Sequence, residues 1–213
     1  MNLTVCETFT SLLGEGTLAG LPAFFIRLSG CNLRCRYCDT TYAYDGGESR
    51  SVGSLVEEAR GSEASLVLVT GGEPLLQEGT LALLEELLWA KPQVLLETNG
   101  SRPIQAVNPR VRRILDLKCP GSGMSSHNCW ANLEILTPQD EVKFVITDQA
   151  DFSWAVDVIR RHRLSERLPV LISPAFGVLS PAQAAAWIIA SGLPLRLNVQ
   201  LHKYIWGPEA RGV

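Results

Sequence analysis

The sequence predicts an α/β fold: one domain, residues 1–213, built as an incomplete βα barrel. Two observations carry that reading. Short apolar runs alternate with helical patterns along most of the chain, the signature of βα units around a parallel sheet. Polar and glycine-rich stretches follow several of those runs directly, where parallel barrels carry their working residues. The length of 213 residues suits a single domain with a substantial core, and no repeat, low-complexity tract or linker divides it.

The elements follow in order. Leu12-Leu13-Gly14-Glu15-Gly16 is glycine-flanked and lacks helical periodicity, so it reads as a loop. Strands are expected at Ala23–Ser29, Ser65–Thr70, Val94–Thr98, Ile114–Lys118, Glu141–Thr147, Pro169–Ser173 and Leu195–Val199, each a short run rich in Val, Ile, Leu or Phe. Ser54-Leu55-Val56-Glu57 and Ser180-Pro181-Ala182-Gln183 both fit a capping box and mark helix starts, the second with proline in the first helical position. Thr80–Trp89 places Leu81, Leu84, Leu87 and Leu88 on one side and Glu85 and Glu86 on the other, a core-facing helix. A further helix is expected from Phe152 to Arg163, where Phe152, Val156 and Ile159 share a face.

Composition narrows the class. Apolar residues make up 46% and charged residues 19%, with no run long enough to span a bilayer and no basic-then-apolar leader, which predicts a soluble cytoplasmic protein. A formal charge of -3 gives no electrostatic reason to expect nucleic acid. Arg110, Arg112 and Arg113 read as a solvated face. Six cysteines could pair, but three crowd into one loop, which fits a reducing compartment and metal binding better. Cys6, Cys119 and Cys129 read as ordinary thiols.

That loop is Cys31-Asn-Leu-Arg-Cys35-Arg-Tyr-Cys38, a C-x3-C-x2-C spacing directly after the first expected strand. Thiolates select soft centres, and an iron-sulfur cluster held by three cysteines keeps one iron open to a small molecule. The alternative is a zinc knuckle closed by a fourth ligand, with Cys119, His127 and Cys129 as candidates. Asp39-Thr40 beside the loop offers hard oxygen ligands suited to Mg²⁺. Arg27 interrupts an apolar strand, where a guanidinium must meet an anion or water, so a carboxylated ligand is a natural partner. The other strand ends carry Thr70-Gly71-Gly72-Glu73-Pro74, Glu97-Thr98-Asn99-Gly100 and Asp116-Leu117-Lys118, and the last strand leads into Gln200-Leu201-His202-Lys203-Tyr204. Taken singly, each also reads as a turn or a packing residue.

The cysteine spacing with Tyr37 before the third thiol, followed by Gly71-Gly72-Glu73-Pro74 after the next strand, resembles the radical S-adenosylmethionine (SAM) superfamily. The full set, including Leu12 to Gly16, Arg27, Cys38-Asp39-Thr40 and Gln200 to Trp206, resembles its 7-carboxy-7-deazaguanine synthase family, with a match running nearly the whole chain. The resemblance implies a partial TIM-like βα barrel of the radical SAM type. It also implies ring contraction of 6-carboxy-5,6,7,8-tetrahydropterin with loss of ammonia, through a 5'-deoxyadenosyl radical, in queuosine and deazapurine biosynthesis.

By the same resemblance Cys31, Cys35 and Cys38 hold a 4Fe-4S cluster and Thr40 contacts Mg²⁺. Tyr37, Cys38, Asp39, Gly72, Glu73, Asn99, Lys118 and Ser122 meet SAM. Leu12, Leu13, Gly14, Glu15, Arg27, Thr70 and His202 line the pterin. A homodimer and an electron donor such as flavodoxin or ferredoxin are implied as partners. The chain continues past the histidine motif to Pro208–Val213, so the relation of its end to substrate is open. Two rivals stand beside this reading: an activating enzyme that makes a glycyl radical on a protein, with less need of Arg27, and a non-enzymatic metal-binding regulatory module.

Overall fold

A computed structural model describes residues 1–213. One nine-stranded sheet runs through the molecule. Its strands are β1 (Asn2–Leu12), β2 (Pro22–Leu28), β3 (Glu48–Ser51), β4 (Leu66–Gly71), β5 (Gln93–Thr98), β6 (Arg112–Lys118), β7 (Glu141–Ile146), β8 (Val170–Pro174) and β9 (Arg196–Leu197). The order is β3-β1-β2-β4-β5-β6-β7-β8-β9, with every neighbour from β2 to β9 parallel and β1 antiparallel to both β2 and β3. β3 and β9 remain open edges, so the barrel is incomplete. All seven expected strands are present. β1 and β3 are additional.

The helices are α1 (Val52–Gly61), α2 (Gly79–Ala90), α3 (Gln149–Arg161), α4 (Pro181–Ser191) and α5 (Leu201–Trp206). α1 begins one turn earlier than expected, because Ser51 is the N-cap and its hydroxyl accepts from the Ser54 amide at 3.1 Å. α3 likewise starts early, capped by Asp148 through the Asp151 amide at 2.9 Å. α4 begins at the expected proline, although Ser180 makes no side-chain cap bond. In α2, Leu83 is buried where the reading placed Leu81, which packs only partly. No helix is long and apolar enough to cross a membrane.

The two faces of the sheet form two separate cores. The outer residues, among them Ile26, Val69, Leu96, Leu117, Phe144 and Ile172, join the apolar faces of α1 to α4 in a cluster of 39 buried residues. Each fully buried aliphatic or aromatic side chain there contributes roughly 1.5–3 kcal/mol. The inner face carries a cluster of seven: Leu13, Ala23, Phe25, Leu66, Leu68, Leu95 and Ile114. Phe9 stacks on Phe25 with ring centroids 4.7 Å apart and adds to this floor. Period-2 alternation then turns the next inward residue of each strand, nearer its carboxyl end, to the space above. Those residues are Arg27, Thr70, Glu97, Asp116 and Lys143, and all five line a single cavity.

The expected arginine face needs correction. Arg113 is buried and paired with Asp140 at 2.6 Å, and Arg112 pairs with buried Glu141 at 2.8 Å. These pairs tie β6 to β7 and to the turn before it, below the functional rim.

Candidate active site

The cysteine loop leaves β2 through Ser29 and Gly30, whose φ of +94° is in the range glycine favours. Its fold is set by backbone bonds to neighbouring loops: Gly30 N–H to Ala43 O at 2.8 Å, Glu73 N–H to Gly30 O at 2.8 Å, and Arg36 N–H to Ser122 O at 3.1 Å. Leu33 is buried beneath it, and Arg34 stacks over Tyr44 with its guanidinium carbon 4.2 Å from the ring centroid. Cys31, Cys35 and Cys38 are free, half-buried thiols lining one cavity of about 450 Å³. The Asn99 amide donates to the Cys31 sulfur at 3.8 Å.

Gly71 and Gly72 both line the cavity, and they also have a packing role that the sequence does not show. A Cβ on Gly71 would lie 2.1 Å from the Leu28 carbonyl oxygen, and one on Gly72 would lie 2.2 Å from the Gly30 oxygen and 2.9 Å from the Cys31 Cβ. These glycines let the loop after β4 press against the cysteine loop itself. Glu73 does not line the cavity: its buried carboxylate accepts from Asn99 N–H at 2.6 Å, Thr98 Oγ1 at 2.8 Å and Leu75 N–H at 3.0 Å. Burial raises its pKa despite those donors. Glu73 therefore fastens the end of β4 to the end of β5 and fixes Asn99, which does line the cavity.

Ser122 is also absent from the cavity wall. It is fully buried, donates to Cys119 O at 2.6 Å and accepts from Met124 N–H at 3.0 Å. Its backbone oxygen anchors the cysteine loop through Arg36. The remaining expected residues all line the same cavity: Tyr37, Asp39, Thr40, Gly72, Asn99 and Lys118 on the side assigned to SAM, and Leu12, Leu13, Gly14, Glu15, Arg27, Thr70 and His202 on the side assigned to the pterin.

The donor set fits an iron-sulfur cluster better than zinc. A zinc ion needs four ligands converging at about 2.0–2.3 Å. No three His, Cys, Asp or Glu side chains converge on a point in this way. Cys119 is buried in the outer core, and neither it nor His127 or Cys129 reaches the cavity. A cluster takes each thiolate on a separate iron, so three thiols spread around one cavity suit it.

Lys118 and Asp116 supply charge beside the thiols, paired at 2.9 Å. Burial alone would lower the Lys118 pKa, but Asp116 and Cys35 outweigh it and leave the ammonium above its ordinary value. Asp116 Oδ1 is buried without any partner, an acceptor left for a donor within the cavity. A lysine for a carboxylate and an acceptor for an ammonium match the two ends of an amino acid, which fits SAM. Thr40 donates to Asp39 at 3.0 Å, and Asp39 in turn accepts from Gln200 and Lys203, each at 2.7 Å. Asp39 is thus neutralised by Lys203 and held by Gln200, while the Thr40 hydroxyl oxygen, which donates only to Asp39, keeps its lone pairs free at the cavity wall, a donor of the type Mg²⁺ takes.

On the opposite wall Arg27 has a partner the sequence did not reveal. Its Nε donates to Glu7 Oε1 at 2.7 Å, and the Tyr42 hydroxyl donates to the same oxygen at 3.0 Å. Burial pushes the Tyr42 hydroxyl up to about 12. Glu7 orients the guanidinium but occupies only Nε, so both Nη groups stay available to a planar anion. His202 packs so closely over Gly14 that a Cβ there would lie 2.0 Å from its Nδ1. Leu201 N–H bonds Gly14 O at 2.9 Å and locks the two loops together. Burial lowers the His202 pKa. The chain end returns to the cavity, with Pro208 to Val213 lining it and the Arg211 guanidinium carbon 4.1 Å from the Tyr42 ring centroid.

Comparison with known proteins agrees with this geometry. Residues 25–166 match the Radical SAM superfamily. The chain is 44% identical over 214 residues to the 7-carboxy-7-deazaguanine synthase of Chlorobaculum tepidum, covering 99% of this chain and 97% of that protein. It is 40% identical over 226 residues to the protein of the same name from Koribacter versatilis, covering 99% and 100%. Among solved structures, QueE from Escherichia coli shares the fold with a TM-score of 0.76 at 22% identity over 94% of both chains. Streptococcus suis SuiB bound to S-adenosylmethionine does so at 0.58 and 13% identity, over 85% of this chain and 51% of that one.

Proposed function

The chain belongs to the 7-carboxy-7-deazaguanine synthases of the radical SAM superfamily, and from that premise we propose that it contracts the ring of 6-carboxy-5,6,7,8-tetrahydropterin to 7-carboxy-7-deazaguanine with loss of ammonia. A radical SAM enzyme uses a 4Fe-4S cluster and SAM. Here the cluster falls to Cys31, Cys35 and Cys38. When bound, the cluster and SAM would supply hydrogen-atom abstraction, given one electron from a donor. The remaining work belongs to the protein.

One observation carries the substrate assignment: a guanidinium held by Glu7 through Nε alone lines the same cavity as the three thiols. Arg27 receives the pterin carboxylate on its free Nη groups, while Leu12, Leu13, Gly14, Glu15, Thr70 and His202 enclose the ring. Lys118 takes the SAM carboxylate and the Asp116–Asn99 side of the cavity its amino end. Thr40 contributes one oxygen to Mg²⁺, the rest of whose shell comes from water and substrate. Pro208 to Val213 line the same cavity and add to the wall around the ligands. The enzyme acts in the cytoplasm as a homodimer and takes its electron from a donor such as flavodoxin or ferredoxin.

The test is anaerobic reconstitution with iron and sulfide, followed by SAM, dithionite and the carboxylated pterin. The expected result is a brown protein that releases 7-carboxy-7-deazaguanine and ammonia, while the decarboxylated pterin gives no product. Equal use of both pterins, or radical transfer to a protein glycine with neither consumed, overturns the assignment.

A further inference from the structure

The charged layer of the cavity has a centre to which none of these roles is given. Lys143, from β7, is buried, and its Nζ lies 3.0 Å from Glu15 Oε2, hydrogen-bonds Glu97 and sits 3.6 Å from Asp116 Oδ2. Three carboxylates from the loop after β1, from β5 and from β6 converge on this one ammonium. Other contacts to the two glutamates are neutral: Asn198 and Gln200 donate to Glu15 at 3.1 and 3.0 Å, and Thr70 donates to Glu97 at 3.1 Å. Lys143 is the one cation in ion-pair contact with either.

We propose that Lys143 is a positioning residue of the pterin site: by bonding both Glu15 and Glu97 it fixes their orientation, so that both carboxylates face the cavity as acceptors for the N–H groups of the substrate ring. The inference rests on the carboxypterin reading above. Its physical basis is the geometry of two glutamates that share one buried ammonium, with Asp116 beside them already paired to Lys118, so that removing Lys143 leaves Glu15 and Glu97 as like charges without a cation between them. Burial would raise the Glu97 pKa, yet Lys143 holds it below the ordinary range. Burial would likewise lower Lys143, and Glu15, Glu97 and Asp116 together raise it well above its ordinary value. The other charged groups facing this cluster are Lys118, Arg27 and His202, none close enough to replace the lost ammonium.

The experiment compares Lys143→Met and Lys143→Arg with the parent as reconstituted enzymes. In Lys143→Met, KM for the carboxylated pterin should rise about ten- to a hundredfold at neutral pH, the loss of one buried charge contact. Its kcat/KM should climb with pH more steeply than the parent's, because the Glu97 carboxylate must now be deprotonated without Lys143 beside it. Iron content should match the parent, and SAM affinity by calorimetry should fall by less than the pterin KM rises, because Lys143 reaches Asp116 only at 3.6 Å. Lys143→Arg should restore the parent's pH profile while KM stays raised, since the charge returns in a different shape. A KM and pH profile for Lys143→Met within about twofold of the parent overturn the proposal. If Lys143→Met fails to fold or to hold iron, Lys143→Arg decides, and an unchanged KM there overturns it. A parent enzyme that does not turn over the carboxylated pterin would instead remove the substrate reading.

Discussion

β6 and β7 each serve two environments from alternate residues. On the outer face Leu115, Leu117, Val142, Phe144 and Ile146 are fully buried among helices, with no polar atom to satisfy. On the inner face of the same strands Asp116, Lys118 and Lys143 are nearly as buried, yet every one is charged and lines the cavity. Burial costs an apolar side chain nothing and costs an isolated charge several kcal/mol, so the inner residues persist only as mutually neutralising pairs. The outer face therefore holds the fold. The inner face stores electrostatic order that a ligand can use.

The largest test of that division is at the rim. Replacing Cys31, Cys35 or Cys38 with Ala should abolish brown colour and turnover with the apo fold kept, because all three thiols are half-buried and outside both cores. Cys6→Ala should leave iron content and turnover intact, since Cys6 does not line the cavity. Stoichiometric iron and sulfide in Cys35→Ala would sink the assignment. The mirror-image change is Phe144→Ala, which should cost about 3–5 kcal/mol in urea unfolding and leave KM of the folded fraction unchanged. A shifted KM there would show that the outer face also shapes the site.

The same contrast explains what could be read in the sequence. Strands β2 and β4 to β8 were legible because both faces are covered and their apolar runs are nearly continuous. β1 escaped because it is no continuous apolar run and its alternation breaks at Cys6-Glu7, where the pairing register shifts, and β3, Glu48-Ser49-Arg50-Ser51, is an edge strand with no apolar residue at all. Arg112 and Arg113 were misread because their anions, Glu141 and Asp140, lie far along the chain. Glu7 was hidden from Arg27 for the same reason. Lys143 was legible in principle: it interrupts Glu141-Val142-Lys143-Phe144-Val145 as Arg27 interrupts its own strand. Glu73 and Ser122 were assigned to SAM from motif alone, and only burial and hydrogen bonding reveal that they hold loops.

Within the inner face, groups with a standing partner should matter less than those without. Glu7 already neutralises Arg27, so Arg27→Ala should weaken binding of the carboxylated pterin by about 1.5–3 kcal/mol, roughly 10- to 150-fold, the range of one charged hydrogen-bonded contact. The decarboxylated pterin should bind parent and variant alike, and a competition titration checks both. Gly14→Ala should act more modestly and indirectly. Its new Cβ must displace His202, and KM should rise about tenfold with the cluster intact, as expected for a misplaced group lining the site. An unchanged KM would mean that the histidine is free to move without consequence.

The smallest expected effect is on stability, and it comes from His202 itself. Burial lowers its pKa below the ordinary 6.5, so the folded chain declines a proton that the unfolded chain accepts. Stability should then be full above about pH 6.5 and should fall as pH drops from there to the depressed folded value, below which this contribution is constant. The loss should be small beside the effects above, because Glu15 and Asp39 pull the pKa back up and the ring is only partly buried. Urea midpoints at pH 7.5 and about 5.5 measure it, and His202→Gln removes the ionisable ring while keeping a polar side chain in its place. The drop between the two pH values should be smaller in the variant. An equal drop in both proteins would place the acid sensitivity elsewhere among the inner charges, with Glu97 next in line because Lys143 holds its carboxylate below the ordinary range.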